Sequence, residues 1–198
     1  MKKAFLLSAL VFLFVFHCRA ADEYANGYLI GQGNDTLKCR VLIPKNFGRF
    51  NEQALFSKVT ILDSAGNKHK YTPDDISGFA FVYHTRVYVY VSREVSEDGK
   101  KLFLWPVELG PKINEYYYYT YNSDNLNKGS TYATNEVYVL EDAVTKETAS
   151  ITRGGSISNN YKDQLRKFFE SDKTIMAVLV RDVKDFHDID KFVKDANH

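Results

Sequence analysis

Apolar and polar positions alternate with period two along most of the chain, and the period lengthens to that of a helix from Tyr161 onward. The clearest alternation is Val87-Tyr88-Val89-Tyr90-Val91. It puts valines on one face and tyrosines on the other, the pattern of a half-buried antiparallel strand. Similar runs, bounded by turn residues, predict strands at Tyr28–Gln32 and Thr36–Ile43, around Gly33-Asn34-Asp35, and at Val59–Leu62 and Lys68–Tyr71, around Asp63–Asn67. More follow at Ile76–Tyr83, Arg86–Arg93, Lys101–Val107, Glu136–Glu141 and Thr148–Thr152. Pro44–Phe56 reads as irregular, anchored by Phe47, Phe50, Leu55 and Phe56. Three apolar stripes at helical spacing close the chain: Tyr161, Leu165, Phe168 and Phe169, then Ile175, Val178, Leu179 and Val183, then Ile189, Phe192, Val193 and Ala196. Ser171-Asp172 and Asp188 stand where helix caps belong. The predicted fold class is α+β: an antiparallel β-rich body of about nine or ten strands, a sandwich or an open barrel, over residues 21–157, with a three-helix segment, 158–198, packed on it.

Glu115-Tyr116-Tyr117-Tyr118-Tyr119-Thr120-Tyr121 stands apart. In a strand, Tyr117, Tyr119 and Tyr121 face one way and Tyr116, Tyr118 and Thr120 the other. Tyrosine suits a pleated, half-buried surface and pairs well across a ladder, so one face is expected to pack while the other keeps its hydroxyls wet. The competing reading is an aromatic platform for a flat ligand, with Tyr88, Tyr90, Trp105, Tyr117 and Tyr119 as its residues and Glu115, Asn122 and Asp124 close enough to orient what binds.

The first residues read as an address. Lys2 and Lys3 precede an apolar run, Ala4–Phe16, interrupted only by Ser8. This is the length of a secretory signal and short of the ~20 apolar residues a membrane span needs. Cleavage after Ala20 places Cys18 and Ala20 at the small-residue positions; a lipoprotein anchored at Cys18 is the alternative. The expectation is an exported protein, periplasmic or extracellular, with residues 1–20 removed and no integral span left.

Removal of Lys2, Lys3 and Arg19 leaves 23 basic residues against 25 acidic, a net charge of −2 without long runs of either sign. That balance disfavours nucleic acid as a partner. Cys39 is then the remaining cysteine, so stability must come from the core rather than a disulfide. It lies in an apolar strand with no histidine nearby in sequence to activate it. His69, His84, His187 and His198 are scattered without metal-ligand spacing, and no metal or other cofactor is expected. Gly31-Gln32-Gly33 is followed by a β-branched run rather than the helix a phosphate loop must open. A catalytic carboxylate pair would need two distant residues brought together, and Glu108 near Trp105 is the weak nominee.

Several stretches carry a resemblance. Gly27-Tyr28-Leu29-Ile30 with Gly33-Asn34-Asp35-Thr36-Leu37-Lys38 resembles the "GYI…GDTLKG" opening of small exported proteins of the Bacteroidota. Tyr71-Thr72-Pro73-Asp74-Asp75-Ile76-Ser77-Gly78-Phe79-Ala80-Phe81, the tyrosines Tyr116–Tyr119 and the stretch Tyr161–Asp172 are similar to further segments of the same proteins. Cys39 stands where they usually carry glycine. The resemblance implies an exported α+β protein of the cell envelope and transfers no catalytic residue. It also implies that Asp35-Thr36-Leu37 and Asp63-Ser64-Ala65 look like short O-glycosylation sites. Together these readings give a non-enzymatic interaction or assembly component with a protein partner in the envelope; the alternative is a carbohydrate-binding module whose tyrosine-rich surface takes a glycan.

Overall fold

The structure, a computed structural model, describes residues 22–95, 99–122, 133–153 and 161–198. The predicted signal segment, residues 123–132 of the polar stretch after the tyrosine run and the predicted boundary at 157/158 lie outside the described residues. Twelve strands and three helices are present among them: β1 (Tyr24–Ile30), β2 (Thr36–Leu42), β3 (Lys45–Asn46), β4 (Arg49–Phe50), β5 (Val59–Leu62), β6 (Lys68–Tyr71), β7 (Gly78–Tyr83), β8 (Arg86–Glu94), β9 (Lys101–Leu109), β10 (Ile113–Asn122), β11 (Ala133–Asp142), β12 (Thr148–Arg153), α1 (Tyr161–Phe168), α2 (Lys173–Asp182) and α3 (Ile189–Asn197). Ten strands form one open antiparallel sheet in the order β12-β11-β10-β9-β8-β7-β1-β2-β5-β6, and β3 and β4 form a small separate hairpin. The fold is thus α+β, as the change of period predicts.

The predicted strand at Tyr28 starts earlier, at Tyr24. Ala25, Asn26 and Gly27 read locally as turn, but β1 lies between β2 and β7, and pairing from both sides overrides propensity. Gly27 is small for a reason. A Cβ there would come within 2.3 Å of the Ala80 carbonyl oxygen and 2.9 Å of Phe81 Cβ.

β9 forks the sheet. Its first half, Lys101–Leu104, pairs with β8, and its second half, Trp105–Leu109, pairs with β10, with a register shift between Glu115 and Tyr116. After the shift Tyr116 and Tyr117 still pair with Pro106 and Trp105, and from Tyr118 on β10 continues beside β11 alone. The segment Glu52–Phe56, which opens as a 3-10 helix over Glu52–Leu55, fills the fork: Phe103 N–H donates to the Phe56 carbonyl at 2.8 Å.

Strand alternation through β9 puts Phe103 and Trp105 on one face of the sheet and Leu104 on the other. On the first face, over β1, β2, β5, β7 and β8, the loop after β2 lays down Ile43, Leu55 and Phe56 against Val41, Ile61, Phe79, Phe81, Tyr88, Tyr90 and Phe103. Over β10 to β12 the same face is covered by the three helices, whose stripes pack on Ile113, Leu140 and Ile151. The helix stripes are core, as their spacing predicts. Asp172 caps α2 by accepting from the N–H groups of Thr174 and Ile175. On the opposite face Leu104, Tyr116, Val139 and Val95 meet at the bend, and Ser150 Oγ donates to the Val95 carbonyl at 2.6 Å.

Candidate functional site

Among the described residues no element covers the outer face of β6, β5, β2, β1, β7 and the first half of β8. Registers place Tyr28 between Lys38 and Ala80, Ala80 beside Val89, and Val82 opposite Val87. This row is apolar and open: Tyr28 is 48 % exposed, Val82 52 % and Val87 60 %. A solvated face of an antiparallel sheet normally carries polar residues at these alternate positions. Beside the row, β2, β5 and β6 bring Lys38, Arg40, Lys68 and Lys70 onto the same face, with Leu62 and Thr60 between them. All four cations are exposed. Arg40 lies 5.3 Å from the centre of the Tyr24 ring, and Lys68 is paired with Asp22 at 2.6 Å. The result is an apolar strip flanked by a cationic one.

The tyrosines are arranged differently from a flat platform. Tyr88 and Tyr90 are core residues, 9 % and 0 % exposed, because the tyrosine face of β8 is the inner face and the valine face is the outer one. Their rings stack on Phe81 and Phe79 at 5.0 and 4.9 Å, and the Tyr90 hydroxyl donates to Glu52. Burial and the adjacent Glu52 carboxylate push the Tyr90 phenol far above its ordinary value. Trp105 is half-buried, 6.2 Å from Tyr88 and under the guanidinium of Arg86 at 5.6 Å. Tyr116 is fully buried. Tyr117 and Tyr119 are half-buried; Tyr117 packs on Tyr138 at 5.6 Å and Tyr119 packs edge-on against Phe56 at 5.1 Å. The structure therefore brings Tyr119 and Tyr118 to the fork and leaves Tyr88 and Tyr90 inside. At the fork a cleft of ≈ 380 Å³ is lined by Tyr118, Tyr119 and Phe56 and by the polar side chains of Asn51, Gln53 and Thr120.

Two groups of charged residues lie under the surface. Glu141, 4 % exposed, is held by Arg93 Nε at 2.9 Å and by Asn114 Nδ2 at 2.7 Å, and the same guanidinium nitrogen donates to the Tyr116 hydroxyl at 2.9 Å. Glu108 and Glu115 are register partners across β9 and β10, with Asp190 of α3 beside Glu115. Glu108, the sequence nominee for a catalytic carboxylate, thus does face a second acid. The pair lies under α3, and Glu115 is completely buried. Burial, reinforced by Asp190 and Glu108 and opposed by Lys194, pushes the Glu115 carboxyl up to about 8. Cys39 is buried, and burial pushes its thiol up to about 11, which keeps it protonated and unreactive at neutral pH. Asp63 takes His69 at 2.9 Å and the N–H groups of Ala65 and Asn67, which hold its carboxyl near 2 and close the β5–β6 turn. No group of three or more His, Cys, Asp or Glu side chains is placed to hold a metal ion among the described residues. No helix among them is long and apolar enough to cross a membrane.

The sequence reading misses the outer face as a site, although its signal was available. In β8 both alternating faces are apolar, so burying the tyrosines leaves Val87 and Val89 to be explained. It names Glu115 only as a neighbour of the tyrosines. The usable signal there is parity, which puts a carboxylate on the same side as Ile113 and Tyr117. Asp190, Glu52 and the Arg93–Glu141 pair carry no local signal, because each meets its partner through the fold. No known protein family, curated protein or solved structure matches the chain.

Proposed function

We propose that the chain is a non-catalytic interaction component of the cell envelope, exported and then docked through the outer face of β1, β2, β7 and β8 onto an acidic protein partner. The observation that carries this reading is the apolar row Tyr28, Ala80, Val89, Val82 and Val87 lying uncovered beside Lys38, Arg40, Lys68 and Lys70. Contiguous apolar surface rimmed by charge is the composition of a protein interface. The cations favour a partner of opposite sign and make the encounter salt-sensitive. In a crosslinking pull-down from intact cells, the wild-type chain is expected to recover one envelope protein in near-stoichiometric yield. Val87→Glu should reduce that recovery about tenfold, the effect of one central interface residue. Equal recovery by the variant would remove the outer face from the account.

A second reading, carbohydrate binding, rests on the cleft at the fork. Tyrosine rings combined with amides and a hydroxyl form a lining suited to a sugar's apolar faces and hydroxyl groups. Gln53→Ala leaves the Phe56 packing in place, and on a glycan array it is expected to weaken binding of a retained saccharide about fivefold, the worth of one hydrogen bond. An array on which the wild-type chain retains nothing would eliminate this reading and leave the outer face unaffected.

A further inference from the structure

We propose that α3 is a proton-gated latch on the β10–β12 half of the sheet, closed while Glu115 carries a proton and loosened when it ionises. The geometry is that of a carboxyl group placed where a carboxylate is poorly tolerated. Glu115 is 0 % exposed, and neither of its oxygens has a donor. A buried charge without a donor is costly, and a buried carboxyl group escapes that cost by holding its proton.

The groups facing Glu115 reinforce this. From α3 come Asp190, in the first turn, and Lys194. From β9 comes Glu108, its register partner. From β11 comes the phenol of Tyr138, itself pushed up to about 12 by burial and by Asp190 and Glu115. Two carboxylates cannot hydrogen-bond each other. A protonated Glu115, the more buried of the two, can donate to Asp190 and join β10 to α3. Lys194 is exposed and offsets the negative charge only in part. Loss of the proton turns the joint into a repulsion at the first turn of α3.

The other end of α3 is tied differently, which makes it the hinge. Asn197 accepts from the N–H groups of Lys112 and Ile113 at 3.1 and 2.9 Å and donates to the Ile113 carbonyl at 2.9 Å. Lys112 Nζ donates to the Ala196 carbonyl at 2.8 Å. None of these contacts involves a carboxyl group. Opening from the Asp190 end would uncover Ile113, Leu140 and Phe192, which now pack together in the helical core.

The direction of the pH effect follows from linkage. The folded chain holds this proton up to about 8, whereas an exposed glutamate releases it near 4.5. Between those values the closed state binds one proton more than the open state, so the latch weakens as pH rises through the window. Each pH unit raises the open population by up to about tenfold, and the effect levels off above the folded value.

Hydrogen exchange of the amides of residues 189–197 in the full chain, corrected for intrinsic rates and read from pH 5 to pH 9, tests the proposal. Protection of α3 is expected to fall with pH in the wild type and to be flat in Glu115→Gln, while β1, β2 and β7 show no difference between the two. Equal pH dependence in both chains would overturn the latch. A carboxyl-carbon NMR titration of Glu115 in the unaltered chain needs no variant to fold. A midpoint near that of an exposed glutamate would overturn the proposal as well.

Discussion

Arg93→Met is expected to destabilise the protein by about 3 kcal/mol. Glu141 is buried, and its strongest partner is the Arg93 guanidinium at 2.9 Å. Removing that cation leaves a charge in the interior with Asn114, the Tyr116 hydroxyl at 3.4 Å and, at 3.5 Å, Lys146. Lys146 is well exposed and moderates the loss, which places the value at the low end of the ~3–5 kcal/mol range for a broken buried pair. The same change removes the donor to the Tyr116 hydroxyl and the cation 4.9 Å above its ring. The diagnostic comparison is the double variant Arg93→Met/Glu141→Gln. Glutamine keeps an acceptor for Asn114 without the charge, so the double variant should recover much of the lost stability. Urea unfolding of the wild type, both single variants and the double variant measures this. A double variant as unstable as the sum of its singles would mean that packing, not charge, governs the site.

Phe79→Ala is expected to cost more, about 3–5 kcal/mol. Phe79 is completely buried on β7, stacked on Tyr90 at 4.9 Å and edge-on to Phe103 at the same distance. It joins β8 and β9 to the face that the Ile43–Phe56 loop covers. Truncation removes the ring's transfer free energy and leaves a cavity among aromatic rings that have little freedom to close it. Against a typical domain stability of ~5–15 kcal/mol this is a large share. The urea midpoint should fall sharply, whereas Val87→Glu, on the outer face, should leave it within about 0.5 kcal/mol of the wild type. A small effect from Phe79→Ala would contradict the placement of the core under that loop.

Much of the architecture is legible in the sequence because it follows from local alternation. The strands at Val59–Leu62 and Lys68–Tyr71 stand where the turn residues between them put them, and the helical stripes fall on the buried faces of α1, α2 and α3. Alternation identifies two faces but does not say which one is inside. In β8 the tyrosines go inward because Phe79 and Phe81 offer them stacking partners and Glu52 accepts the hydroxyl of Tyr90. Those partners lie in other elements. The fork at β9 is invisible for the same reason, since it depends on where β8 and β10 leave that strand. Glu115 was readable as an acid on a packing face. Its confrontation with Asp190 was not, because a helix far along the chain supplies the second carboxylate.

The docking claim is tested most directly by photo-crosslinking in intact cells, with a photoreactive residue placed at position 87 on the outer face and, as a control, at position 180 on the exposed side of α2. The account predicts one discrete adduct with an acidic envelope protein from position 87 and none from position 180. No adduct from position 87, or the same adducts from both positions, would contradict it.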